Sequence, residues 1–183
     1  MAQSLLGRLL VATPKLVDPN FFRTVVCVCA HSDTGAMGVV LNRPMTAELD
    51  DQLPDWAPLL AQPRVAFAGG PVDPSIAIGI ARLHDPQQYP GWTRFSGRLG
   101  TLDLRTPPTD LPGLEAARVF IGYTGWGAGQ LESEIEDGAW FVIDARETDP
   151  FTAEPDSLFR KVLQRQGGQL AMFAYFPPDA TQN

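Results

Sequence analysis

The chain has 183 residues, 44% of them hydrophobic and 19% charged, which is enough apolar material for a core and too much for a disordered polypeptide. Its net charge of -7 and pI near 4.7 are a poor balance for non-specific binding to a polyanion. Gly and Pro number 17 each, well above the usual ~12% for the two together, so turns are frequent and elements short; a coiled coil, a disulfide scaffold, a membrane protein and a histone-like DNA binder are all disfavoured.

Leu5 to Ala12 reads as a strand ended by Thr13-Pro14. A loop from Lys15 to Asn20 leads into a second strand near Phe22 to Ala30, rich in Val and Cys. His31 to Gly35 has the length of a hairpin turn, and Ala36 to Leu41 completes an antiparallel meander. Asn42-Arg43-Pro44 stops that run. Thr46 is expected to cap a short helix, with Glu48, Asp50 and Asp51 at its positive end. Val65 to Ala68 is a short buried strand ending in Gly69-Gly70-Pro71, and Ile76 to Leu83 alternates as a strand does.

From His84 to Gly113 the chain is loop-rich, with one strand near Gly100 to Leu104. Arg118 to Tyr123 is a buried strand that should lie centrally in the sheet. It enters a Gly-rich turn, Gly122 to Gly129, followed by a helix to about Asp137 and a strand from Ala139 to Asp144. Pro155 to Gln166 places Leu158, Phe159, Val162 and Leu163 at helical spacing and stops at Gly167-Gly168. Gln169 to Phe176 reads as a last strand, and the tail around Asp179 as frayed. Strands outnumber helices and do not alternate regularly with them. The expectation is one α+β domain spanning 1–183.

Chemistry is sparsely signalled. Cys27 and Cys29 share one face of a strand with Cβ atoms about 6.5 Å apart, beyond easy disulfide reach, which suits a reducing compartment and a cytoplasmic protein. Met1 to Ala12 lacks the basic start of a signal peptide, and no 18-residue apolar run could span a membrane. With two histidines, no HExxH and no paired CxxC, no metal is expected. Cys27, Cys29 and His31 do fall on one strand face, but thiols in a Val-rich run are usually core. His31-Ser32-Asp33 spells a triad in order, yet adjacent side chains diverge and cannot form one.

The Gly-rich turn has the parts of a phosphate cradle without its signatures: neither GxxxxGK[ST] nor GxGxxG is present, and Glu132, Glu134, Glu136 and Asp137 would repel a polyphosphate. No cofactor is expected. Trp126, Gln130 and Glu134 follow one flank of the helix at i, i+4 and i+8, beside a Leu131–Ile135 stripe. They could line a pocket mouth, or simply be a Trp packed over the turn beside solvated glutamates. Twelve of the 14 basic residues are arginines, which suits carboxylate or phosphate recognition and equally suits codon bias.

Several motifs taken together resemble a known family. Gly7-Arg-Leu-Leu-Val-Ala-Thr-Pro14, Asp18-Pro-Asn-Phe-Phe-Arg-Thr-Val-Val26, His31-Ser32, Gly35-Ala-Met-Gly-Val-Val-Leu-Asn-Arg-Pro44, Gly69-Gly-Pro-Val72 and Gly122-Tyr-Thr-Gly-Trp-Gly-Ala-Gly-Gln-Leu-Glu-Ser-Glu-Ile135 before Trp140 are similar, in this order, to the bacterial AlgH/YqgE family. The chain departs from it at Leu158-Phe159, where the family often has a tryptophan, and around Pro86 to Pro108. The resemblance implies an α+β body of mixed sheets forming a pseudo-barrel with a few short helices. The family is functionally uncharacterised, named for a proposed role in regulating alginate genes, and it supplies no mechanism or cofactor.

Arg23, Asn42, Arg43, Gly69, Gly70, Tyr123, Trp126, Gln130 and Glu134 are therefore candidate pocket residues without assigned chemistry. The leading expectation is a small-ligand or peptide-binding, regulatory module acting through a protein partner. The alternative is a metal-independent hydrolase using a carboxylate such as Glu134. Direct DNA binding is not expected, since residues 1–91 carry 6 basic and 8 acidic side chains and residues 92–183 carry 8 and 13. Asn42-Arg43 and the 122–129 turn are expected to meet at one cleft, where Arg43 or Arg23 could pair with Glu134 or meet an anionic ligand with the carboxylate held nearby; the alternative is that each motif serves its own turn.

Overall fold

The computed structural model describes residues 3–177. A meander of β1 (Leu9–Ala12), β2 (Val25–Ser32) and β3 (Gly35–Val40) is followed by β4 (Pro44–Glu48) and β5 (Val65–Ala68). Then come β6 (Val72–Leu83), β7 (Trp92–Ser96), β8 (Leu99–Leu102), β9 (Leu114–Gly127) and β10 (Trp140–Ile143). The α-helices are α1 (Gln130–Glu136), α2 (Pro155–Gln164) and α3 (Gly168–Met172).

The strands run β10-β1-β2-β3-β9-β6-β8-β7, with β5 beside β9 and β4 beyond β5. β5 is parallel to β9, through Phe67 and Ala68 opposite Phe120 and Ile121; the other pairings of named strands are antiparallel. The α+β, strand-rich, mixed-sheet architecture is thus as expected. The sheet nevertheless leaves β10, β7 and β4 as edge strands and does not close into a barrel.

β9 is the spine. Its first part pairs with β6 from Leu114 to Ile121, and its last part pairs with β3 from Thr124 to Gly127. The handover falls at Gly122, whose φ is +73°. Gly69 and Gly70 press against it: a Cβ on Gly70 would sit 2.2 Å from the Tyr123 carbonyl oxygen, and one on Gly69 2.4 Å from that of Gly122. Only glycine tolerates such an approach.

Side chains alternate across these strands and so define three apolar layers. The central one joins Leu9, Val25, Cys27, Phe67 and Phe120 to Leu158, Phe159, Val162 and Leu163 of α2. A second, under the chain between β4 and β5, gathers Trp56, Leu60, Ala81, Trp92, Ala117 and Val119. The third, beneath α1, holds Leu10, Val26, Val40, Trp126, Leu131 and Trp140.

Several expectations need correction. Thr46 caps no helix; it lies in β4, where Pro44 and Glu48 pair with Phe67 and Val65. All five β4 residues are exposed, so no apolar alternation announced the strand. β7 falls inside the stretch read as loop, its buried Trp92 and Phe95 hidden among prolines. The Gly-rich turn is mostly strand, because β9 continues to Gly127. Gln169 to Phe176 is α3 followed by a 3-10 turn at Phe173–Tyr175, docked on α2; a short apolar run does not distinguish helix from strand. The frayed tail expected at Asp179 lies outside the described residues.

Candidate functional site

α1 starts three residues after β9 ends, which brings Trp126, Gln130 and Glu134 into register on one flank. Glu134 Oε2 accepts from the indole N–H groups of both Trp126 and Trp140 at 2.9 Å. Its Oε1 accepts from Gln130 Nε2 at 3.2 Å, and Gln130 Oε1 accepts from the Gly127 amide at 3.0 Å. The two indoles meet edge to face at 6.2 Å, and Phe21 caps Trp140 at 5.7 Å. Both tryptophans are buried, so their N–H groups need this acceptor. The carboxylate is engaged on both oxygens by groups of its own chain.

Asn42 and Arg43 leave β3 and grip the preceding loop. Asn42 Oδ1 accepts from the Val25 amide at 3.0 Å, and its Nδ2 donates to the Arg23 carbonyl at 2.9 Å. Arg43 donates to the carbonyls of Asn20 at 2.6 Å, Pro19 at 2.8 Å and Phe22 at 3.2 Å. Burial, partly offset by Asp18, lowers the Arg43 pKa. Neither Arg43 nor Arg23 pairs with Glu134, so of the two arrangements expected at a shared cleft the direct ion pair is not formed: arginine and carboxylate are each committed to closer partners. The two motifs communicate through the packed loop, Arg43 holding the backbone around Phe21 and Phe21 resting on Trp140.

Gly69, Gly70 and Tyr123 form the close crossing already described. Arg23 stands apart, with φ +55°, its guanidinium 4.5 Å above the Phe159 ring and donating to the Phe176 carbonyl at 2.7 Å. It lines a pocket of about 200 Å³ with Phe22, Phe159, Phe173 and Phe176. A larger groove of about 730 Å³ opens on the sheet face formed by β6, β8 and β9. Ile78, Leu102, Val119 and Ile121 floor it, and Gln52, Thr93, Thr101 and the Asp103–Arg105 ion pair supply polar groups. None of the nine candidate residues lines this groove. Apart from Thr93 on β7, its strand residues fall on strands legible in the sequence, but they come together from β3, β6, β8 and β9 and the loop before β5, so no local motif marked them.

Arg118 was also missed as anything but a strand residue. Only 1% exposed, it lies over Phe67 at 4.3 Å and donates to the carbonyls of Gln62, Pro150 and Thr152 at 2.5, 3.0 and 2.9 Å. Burial pushes its pKa down to about 10. An arginine in the run Ala116-Ala-Arg-Val-Phe120 was the available signal.

His31, Glu132 and Cys29 are internally engaged. His31 Nδ1 accepts from the Leu5 amide at 3.1 Å, so Nε2 carries the proton that it donates to Glu132 Oε1 at 2.6 Å. That bond, before other causes, lowers the Glu132 pKa. Cys27 and Cys29 are free buried thiols; the contact with Cys27 and then burial raise the Cys29 pKa well above its ordinary value, which leaves it inert. Among the described residues no three His, Cys, Asp or Glu side chains converge as metal ligands, and no helix is long and apolar enough to cross a membrane.

The fold and these clusters define an open mixed-sheet α+β protein with a glycine crossing, an indole-bound glutamate and an apolar groove. A family model described as AlgH-like matches residues 9–171, and the chain belongs to that family. It is 48% identical over 185 residues to the UPF0301 protein SCO2948 of Streptomyces coelicolor, covering 98% of this chain and 96% of that protein. It is 46% identical over 190 residues to a UPF0301 protein of Thermobifida fusca, with the same coverages. Among solved structures, it is similar to the crystal structure of DIP2367 from Corynebacterium diphtheriae, with TM-score 0.89, 28% identity and coverage of 96% of this chain and 94% of that one. The solution structure of AlgH from Pseudomonas aeruginosa matches with TM-score 0.69, 28% identity and coverage of 97% and 98%.

Proposed function

We propose that the protein is a binding module, one domain in the cytoplasm, that takes a small ligand or short peptide in the groove on β6, β8 and β9 and acts through a protein partner. The observation that carries this reading is the groove itself. Its volume of about 730 Å³ lies in the ~300–1,000 Å³ range of ligand pockets, with an apolar floor and a few convergent polar groups. Asp103, whose pKa the bonds from Arg105 hold at about 2, stays ionised and gives the rim a fixed charge pair. The hydrolase alternative draws no support from Glu134, whose oxygens are occupied by Trp126, Trp140 and Gln130. With a net charge of -7 and no basic half, unaided DNA binding is not part of the proposal; sub-micromolar, sequence-dependent binding in an anisotropy titration at physiological salt would overturn that element.

Mass spectrometry of what co-purifies with the protein tests the reading. Ala77 is exposed at the groove, so Ala77→Trp fills it without entering the core. A compound retained by the parent protein and lost from Ala77→Trp is the expected result. Substrate turnover that disappears in Glu134→Gln and survives in Ala77→Trp would contradict it.

A further inference from the structure

The loop that Asn42 and Arg43 grip ends in a conformation non-glycine residues rarely adopt. At φ +55°, Arg23 is left-handed, and it persists because Asn42 ties down its carbonyl and the Val25 amide two residues on, while Arg43 fixes the Phe22 carbonyl before it. That conformation directs the guanidinium over Phe159 and into the mouth of the 200 Å³ pocket. Of its five N–H donors, the bond seen is to one carbonyl, that of Phe176. Arg160, exposed on α2, lies close enough for its charge, after burial, to lower the Arg23 pKa. Among the described residues neither arginine has a carboxylate within ion-pair distance, in a chain where Asp and Glu outnumber Lys and Arg 21 to 14.

The interior of the pocket is of opposite character. Phe22, Phe159, Phe173, Phe176 and two prolines make its walls, with Phe173 and Phe176 stacked at 5.8 Å. A dry cavity of about 150 Å³ takes benzene, so 200 Å³ has room for a phenyl ring on a short chain and none for a nucleotide. An apolar chamber with a guanidinium at its mouth selects a ligand with one anionic end. We propose that this pocket binds a small monocarboxylate bearing a phenyl or short alkyl group, with the carboxylate on Arg23 and the apolar end against Phe159 and Phe173. The carboxylate takes over the donor now used by the Phe176 carbonyl and accepts from the guanidinium fork in a bidentate pair. The motif Asn42-Arg43 then has a purpose beyond its own turn: it holds Arg23 in the orientation that the ligand reads. This site shares no residue with the β6–β8–β9 groove and stands independently of it.

Titration of the full chain with 3-phenylpropanoate, followed by amide NMR shifts, tests the proposal, with 3-phenylpropanamide as the neutral control. Saturable shifts centred on Thr13, Phe22, Arg23 and Phe173 are expected, with the amide about tenfold weaker. Arg23→Gln should weaken the acid by about tenfold and leave the amide unchanged. Because Arg23 is conformationally strained, Arg160→Glu provides a second variant on an exposed helix face; it should weaken the acid severalfold, less so at high salt. No saturable shift at the pocket up to about 10 mM, equal affinity for acid and amide, or indifference to Arg160→Glu would each overturn the site.

Discussion

The Trp126–Glu134–Trp140 cluster and the Arg23 pocket are built from neighbouring motifs and look equally functional in sequence. In one, every oxygen of the charged group is met by a donor of the same chain, and both indole N–H groups are satisfied. In the other, a strained arginine faces an aromatic chamber with, among the described residues, one carbonyl for a hydrogen-bond partner and another arginine beside it. A polar group that the fold has fully satisfied holds structure, whereas one held in a costly conformation beside open apolar space is available to a ligand. The same distinction sets the size of what each substitution should do.

The largest effect belongs to Arg118, whose two terminal nitrogens are bound by carbonyls of its own chain while its buried Nε has no partner. Arg118→Ala leaves three carbonyls without their donors and a void over Phe67, and should cost about 3 kcal/mol or more in urea unfolding. A loss under about 1 kcal/mol would mean those carbonyls find water. Glu134→Ala comes next, at about 2–3 kcal/mol, because two buried indoles lose their acceptor. Glu134→Gln retains one oxygen and should cost about half as much. Arg43→Ala should cost about 1 kcal/mol and, by releasing the loop that positions Arg23, weaken 3-phenylpropanoate binding.

The smallest effect is pH-dependent. The bond from His31 holds the Glu132 pKa below its ordinary value, as the bond from the Arg98 amide does for Glu147. Carboxylates lowered in the folded state contribute stability above the ordinary carboxylate range and lose it as pH falls through their lowered pKa values. Glu132→Gln should therefore be slightly less stable than the parent at pH 7, with the difference vanishing in strong acid. A difference that grows on acidification would reverse the sign.

Most of the sheet was legible because β1, β2, β3, β5 and the first half of β9 carry buried apolar runs bounded by Gly or Pro. β4 was not, since its five residues are all exposed and their strand state comes from pairing with β5. α3 was not, because its helical state reflects docking on α2 rather than periodicity. At the site, the i, i+4, i+8 spacing placed Trp126, Gln130 and Glu134 side by side, but Trp140, which completes the cluster, arrives from another strand. Likewise Arg23 was named from its motif, while the Phe159 and Phe173 that give it a pocket lie over a hundred residues on, in helices that only tertiary packing brings back.

The most direct test of the contrast is the affinity of Glu134→Gln for 3-phenylpropanoate, measured beside its unfolding free energy. A stability loss of about 1 kcal/mol is expected, with the affinity unchanged within about twofold. Full stability with binding abolished would contradict it, placing the ligand at the glutamate and not at Arg23.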